Sequence, residues 1–342
     1  MNNDGELVKA GKRHRETTTT TADRLTHLPE PVLYHILSFL DTKWAVQTSV
    51  LSRDWNRAWK HVPVLNFDKT SFRLAAKFDN FVSKVLSLRY DLKLRKVDYS
   101  SGDVKGNALQ VAGYALSHNV EELALHKSRY KAYRDFGSIF SDYCEDDWST
   151  TDGPYRNFIV EEKKKKTNDH LKTLHLSCFK LDREFAACSG FPMLTTLSLR
   201  HCRFDSRDLV ISDGNFPCLR NLHINFCALK LVDGHRITIH GPRLRSLELK
   251  GMSGYEIEMN APQLKVFKLC DQFVTAGKGF SNLAFPALDC ADVELKASDA
   301  KRLNEMDKTM AGHYLSSLFW CVRSAKNMTL RGSTVGVCAW TL

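Results

Sequence analysis

The 342-residue chain lacks most of what announces an enzyme or a membrane protein. No apolar run approaches the ~18 residues of a membrane span. The opening stretch MNNDGELVKAGKRHRETTTTTAD has no apolar core of the kind a secretory signal requires. These absences predict a protein of the nucleus or cytoplasm. Ten cysteines are present without a single C-x-x-C pair, which argues against a zinc ribbon or RING; they read as reduced, mostly buried small hydrophobes. There is no H-E-x-x-H, no G-x-S-x-G and no Walker A stretch. The thirteen histidines do not cluster, and His235 and His240 lie too far apart along HRITIH to be taken as ligands. Gly277 and Gly279 in AGKGF lack the first glycine and the Ser or Thr of a phosphate loop. Asn327-Met-Thr329 would be a glycosylation site only in a secretory compartment. With no nucleophile–base constellation, neither catalysis, nor a cofactor, nor a metal is expected.

Concentrated charge is also missing. The formal charge is +10, but residues 69–126 (nine basic, six acidic) and 170–342 (twenty-two basic, sixteen acidic) carry +9 of it, thinly spread. Nucleic-acid binders gather such charge in a patch or arm, so nucleic acid is not the favoured partner. Composition is otherwise that of a soluble globular protein, 43% hydrophobic and 26% charged.

What is present begins at LPEPVLYHILSFLDTKWAVQTSVLSRDWNRAWKHV, Leu28 to Val62. Pro29 and Pro31 suit the first turn of a helix, where no N–H is needed. Val32, Leu33, Ile36, Leu37 and Leu40 then fall within an arc of roughly 140° at ~100° per residue, and Phe39 widens the stripe. Asp41 or Thr42 can cap a second helix through Trp44, Val46 and Val50, and Ser52 a third in which Trp55 and Trp59 stack at i,i+4. A span this short cannot cover so much apolar surface alone. Either the rest of the chain covers it, or the groove of another protein does.

Beyond about residue 90 a different pattern repeats: L-x-x-L-x-L, often followed by cysteine. It reads VEELALH (Val120–His126), LKTLHLSC (Leu171–Cys178), LTTLSLRHC (Leu194–Cys202), LRNLHINFC (Leu219–Cys227), LRSLELKG (Leu244–Gly251) and LKVFKLC (Leu264–Cys270). Leu176, Leu199, Ile224, Leu249 and Leu269 are spaced by 23, 25, 25 and 20 residues, close to the ~20–29-residue period of leucine-rich repeats. Degenerate copies stand at Leu92–Val97, Leu288–Leu295 and Ala325–Leu330. Leucines at i, i+3 and i+5 do not share a helical face, whereas alternation buries one face of a strand. Stacked repeats bury a continuous core and expose parallel strands. Phe191-Pro192, Phe216-Pro217 and Phe285-Pro286 read as a recurring turn into the strand, and Cys202 and Cys227 as turning into the core.

The predicted fold is therefore α/β, with three N-terminal helices followed by a curved solenoid bearing a parallel sheet on its concave face. The predicted divisions are a disordered tail at 1–22, a helical unit at 23–68 and a repeat region at 69–342, with a charged loop inserted at about 127–169. KRHR at 12–15 suits either a nuclear import signal or a solvated basic cluster.

The helical stretch resembles an F-box, from Asp23 to Asp68, through Leu28-Pro29, Ile36-Leu37, Leu40, Val50, Leu51, Ser52, Trp55 and Trp59. The repeats behind it, with LNFD just after the helices and cysteine-ended strands, resemble those of plant F-box/leucine-rich-repeat proteins. That resemblance implies the substrate-recognition subunit of a Skp-cullin-F-box ubiquitin ligase: the box docks on a Skp-type adaptor, through it on cullin and a RING protein, and the repeats hold a substrate protein. It further implies that Leu28, Pro29, Leu33, Ile36, Leu37 and Leu40 enter the adaptor groove, while Val50, Leu51, Trp55 and Trp59 hold the box together and complete the contact. The substrate site stays unassigned. The insertion departs from the family pattern, and the chain stops at WTL where many relatives run on into a further domain. The competing readings are a non-ligase F-box scaffold and a basic repeat protein that binds nucleic acid.

Overall fold

The computed structural model describes residues 28–101, 107–127, 169–181, 185, 191–204, 208–229, 236–252, 255–273, 280–281, 285–297 and 305–331. The tail expected at 1–22, the expected insertion from 128 to 168 and the terminal WTL lie outside the described residues.

Three short helices open the fold: α1 (Glu30–Ser38), α2 (Thr42–Gln47) and α3 (Arg53–Ala58), with 3-10 turns at Thr48–Val50 and Trp59–His61. Pro29 is the N-cap of α1, and its carbonyl accepts from the N–H groups of Val32 and Leu33. The Asp41 carboxylate caps α2 through the Lys43 N–H, and Ser52 Oγ caps α3 through the Trp55 N–H. All three caps satisfy N–H groups that a helix start otherwise leaves unpaired.

The chain then runs straight into β1 (Val64–Asp68), the first strand of a ten-stranded, all-parallel sheet. Its further strands are β2 (Lys96–Ser101), β3 (Glu122–Lys127), β4 (Thr173–Ser177), β6 (Thr196–Arg200), β9 (Asn221–Asn225), β12 (Ser246–Lys250), β14 (Val266–Phe273), β16 (Cys290–Ala297) and β17 (Asn327–Arg331), in that order. This is the expected leucine-rich-repeat array, and it starts inside the stretch read as the helical unit. Strands β3 and β4 pair directly, Glu122 opposite Thr173, so whatever lies between them leaves the array unbroken.

Register explains the leucines. Leu65, Val97, Leu123, Leu174, Leu197, Leu222, Leu247 and Phe267 stand side by side across the sheet, and Phe67, Tyr99, Leu125, Leu176, Leu199, Ile224, Leu249 and Leu269 form the second buried row. Each side chain thus meets its own kind on both neighbouring turns, as stacked repeats require.

The return segments differ along the array. Helices α4 (Ala75–Leu88), α5 (Ala108–Ser117) and α6 (Glu305–Val322) return the chain near its two ends. Between them, among the described residues, several returns carry extended segments. Strands β8 (Asp208–Ser212), β11 (Arg236–His240), β13 (Glu256–Asn260) and β15 (Phe280–Ser281) make a second parallel sheet, and β5 (Lys180–Leu181), β7 (Arg203–Phe204) and β10 (Ala228–Leu229) a third.

Two turns recur along the central repeats. Before the strand, an i→i+3 hydrogen bond closes Phe191–Leu194, Phe216–Leu219, Gly241–Leu244, Ala261–Leu264 and Phe285–Leu288. Proline stands second in each, where its fixed φ suits the turn and no N–H is wanted. After the strand, Cys178, His201, Phe226 and Gly251 adopt positive φ of 63°, 50°, 53° and 60°. The residue that follows each, namely Phe179, Cys202, Cys227 and Met252, dives into the core. At Gly251 a Cβ would sit 2.4 Å from the Phe226 ring, so glycine is required there by space as well as by conformation.

Candidate functional site

The apolar arc of α1 is divided, and the division is the main geometric finding. Leu33 and Leu37 are 1% exposed and belong to the same continuous core as the repeat leucines. Val32, Ile36 and Phe39 are exposed, Phe39 by 75%. At about 100° per residue Val32, Ile36 and Phe39 share a stripe roughly 60° wide, while Leu33 and Leu37 lie further round. One arc of ~140° thus serves two covers: its inner half packs within the chain and its outer half stays open.

This corrects part of the sequence assignment. Leu33 and Leu37, expected in an adaptor groove, are core residues. Val50 and Leu51, expected to hold the helices together and complete the contact, are exposed, Val50 by 86%, so they do not pack within the box and stay open to a contact. Trp55 and Trp59 are buried, with Ala58 between them, and do tie the helices together. Pro29 and Ile36 are exposed, and Leu28 and Leu40 partly buried against the core. Phe39 and Trp44, both exposed, were not assigned a contact role; the signal that marks Phe39 is its i+7 spacing from Val32.

Specific polar contacts fix the helices to the repeats. Arg89, buried just after α4, donates to the carbonyls of Trp59 at 3.3 Å and Val62 at 2.6 Å, so it satisfies the end of the last 3-10 turn. Burial pulls the pKa of this guanidinium down, but it stays charged. Buried Thr42 accepts from the Asn66 N–H of β1 at 2.8 Å. Lys43 donates to the Ser71 carbonyl at 2.6 Å and lies 4.8 Å from the Phe72 ring centroid. His61 lies between the rings of Tyr34 and Tyr90, at 5.4 and 4.6 Å. Burial raises the pKa of the Asp41 carboxyl, a trend the Lys43 N–H opposes. The open stripe is therefore displayed on a helix whose opposite side is anchored to a rigid array.

The solvent face of the ten-stranded sheet is polar and largely self-neutralised. His126 approaches Asp98 at 3.9 Å, His223 approaches Glu248 at 3.6 Å, Lys250 pairs with Glu248 at 2.7 Å and Arg331 with Asp292 at 2.8 Å. Burial alone would raise the pKa of Glu248, but Lys250, Asn225 and His223 together outweigh it and the net direction is down. His175, half-buried among these groups, has its pKa lowered first by burial and then by His126 and His223. It therefore stands as a neutral donor–acceptor at neutral pH. Among the described residues no group of three His, Cys, Asp or Glu side chains could hold a metal, and no helix is long and apolar enough to cross a membrane. Gly277, Gly279 and His235 lie outside the described residues.

Helices tied to a parallel repeat array, with an apolar stripe left open, define an F-box joined to leucine-rich repeats. Comparison with known proteins agrees: residues 25–67 match the F-box domain model. An Arabidopsis thaliana F-box/LRR-repeat protein is 29% identical over 239 residues, 66% of this chain and 43% of the relative. F-box/LRR-repeat protein 25 of the same plant is 25% identical over 221 residues, 62% of this chain and 72% of its own length. An FBD-associated F-box protein of Arabidopsis thaliana is 49% identical over 73 residues, 21% of this chain and 17% of its own. The chain carries an F-box domain and resembles the plant F-box/leucine-rich-repeat proteins. It spans less than two thirds of the length of most of the curated relatives it matches, 38%, 17% and 43% in three cases.

Proposed function

We propose that the chain is the substrate-recognition subunit of a Skp-cullin-F-box ubiquitin ligase, acting in the nucleus or cytoplasm. The F-box docks on a Skp-type adaptor through Val32, Ile36 and Phe39, with Pro29, Trp44, Val50 and Leu51 as further candidates. Through the adaptor it reaches cullin and a RING protein, and the repeats present a target protein. The observation that carries this reading is the open apolar stripe on a helix whose other face is already core. Apolar surface left in water at the tip of a rigid array is the mark of a protein contact. The chain itself performs no chemistry in this scheme; ubiquitin transfer is supplied by the assembled ligase.

The test is reconstitution. Purified chain and a Skp-type adaptor should co-elute, and the complex should survive a rise from low to moderate salt, because ions do not screen aliphatic burial. Adding cullin, RING protein and conjugating enzyme should yield ubiquitin transfer to a captured target or to the chain itself. Co-elution without any transfer would favour a non-ligase F-box scaffold. Absence of co-elution would sink the reading.

A further inference from the structure

The residues just before the sheet strands form a continuous rim, joined by hydrogen bonds between successive turns: the N–H groups of Glu121, Lys172, Thr195, Arg220, Arg245, Lys265 and Asp289 each reach the carbonyl of the preceding turn. At one end of the rim Glu121 is held between Lys93 at 2.7 Å and Lys172 at 3.0 Å. At the other end Asp289 is held by Lys326 at 2.7 Å. The middle is different. Arg220, Arg245 and Lys265 follow one another on adjacent turns, ~4.8 Å apart by strand spacing, and all three are exposed. Among the described residues none of them has an ion-pair partner; Lys265 exerts only a weak pull on Asp289, which Lys326 already holds. Arg243, exposed two residues before Arg245, adds a fourth cation and donates to the Pro217 carbonyl.

Like charges on adjacent strands repel and weaken a sheet, and at the two ends of the rim the cations are offset by Glu121 and Asp289. A run of unpaired cations bears a local cost that a bound anion would remove. On the sheet face beside it most charges are paired, and the exposed cations Arg200 and Lys268 stand on strands that are not neighbours, so the rim carries the run of adjacent cations. We propose that Arg220, Arg243, Arg245 and Lys265 dock an acidic, carboxylate-bearing segment of the captured protein. An extended segment places alternate side chains on one side at ~6.7 Å, within reach of long arginine and lysine side chains on successive turns, and guanidinium groups bind carboxylates in a two-point fork. This inference rests on the receptor reading above and supplies its substrate class.

The probe is a fluorescein-labelled peptide alternating glutamate and serine, read by fluorescence anisotropy on the full chain at low and physiological salt. Arg220→Gln/Arg245→Gln/Lys265→Gln should weaken binding by about tenfold, the sum of three exposed charge contacts. Arg73→Gln/Lys77→Gln/Lys84→Gln removes the same charge from the α4 region and should change it less than about twofold. The rim variant should melt no lower than wild type, because relief of repulsion removes a cost. Equal weakening by both variants would overturn the proposal, since net charge alone would then explain binding. So would a lower melting temperature of the rim variant, or single-stranded RNA outcompeting the peptide through the same three residues. Adaptor co-elution is read on the same preparations. If adaptor binds and peptide does not, the rim proposal alone fails; if peptide binds and adaptor does not, the receptor reading fails and the rim stands.

Discussion

Phe39 offers the sharpest separation between docking and folding. It is 75% exposed and touches its own helix through the His35 ring, centroids 4.8 Å apart and nearly perpendicular. Full burial of a phenylalanine is worth about 1.5–3 kcal/mol, so covering the open three quarters contributes about 1–2 kcal/mol. Phe39→Ala should therefore weaken adaptor binding by roughly tenfold, and Phe39→Asp, which adds desolvation of a carboxylate costing several kcal/mol, by more than ~100-fold. Neither should lower stability by more than about 1 kcal/mol, the scale of the lost ring contact. Leu37 makes the opposite case. At 1% exposure, Leu37→Ala should cost about 2–5 kcal/mol of stability, while the fraction that remains folded binds adaptor nearly as wild type. Calorimetric titration with the adaptor, beside urea unfolding of each variant, reads both quantities. A folded Phe39→Asp chain that binds undiminished would refute the division of α1, as would a folded Leu37→Ala chain that loses more affinity than Phe39→Ala.

Arg89→Met should loosen the F-box from the repeats, leaving the Val62 carbonyl without its Arg89 donor and the Trp59 carbonyl with the Val62 N–H alone; urea unfolding should show a loss of about 1–3 kcal/mol, with earlier hydrogen exchange in residues 53–62. Gly251→Ala combines positive φ with a 2.4 Å approach to Phe226 and should destabilise by about 2 kcal/mol or more. Adding Phe226→Ala should relieve the clash but not the backbone strain, a partial rescue visible in a double-mutant cycle. Glu121, hydrogen-bonded first by Lys93 and then by Lys172, has its pKa pulled down to about 2. A depressed carboxylate stabilises the fold above its unfolded pKa, and that stabilisation is lost as pH falls towards about 2. Glu121→Gln should thus melt below wild type at pH 6, and the gap should close on acidification; a gap that does not change with pH would rule out the ion-pair account.

The alternation L-x-x-L-x-L and its spacing determine the array without help from tertiary context. A strand with one buried face needs apolar residues at every second position, and only a neighbouring turn can cover them. The Phe-Pro turns were legible for the same local reason, although the structure shows five such turns where the sequence pattern marked three; at Gly241 and Ala261 the proline stays and the phenylalanine does not. The return segments were not legible. Whether a return becomes helix, as in α4 and α5, or strand, as in β8 and β11, is set by the turns on either side. The split of α1 was likewise out of reach. Leu33 and Ile36 are both aliphatic and sit within one arc; which of them is core depends on where α3 and the Trp59–His61 turn bring their own apolar faces, and that is decided only when those segments fold back on α1. The rim has the same origin. Arg220, Arg245 and Lys265 are separated by 25 and 20 residues of ordinary mixed charge, and only the parallel register sets them side by side, where the repulsion between them becomes a physical quantity.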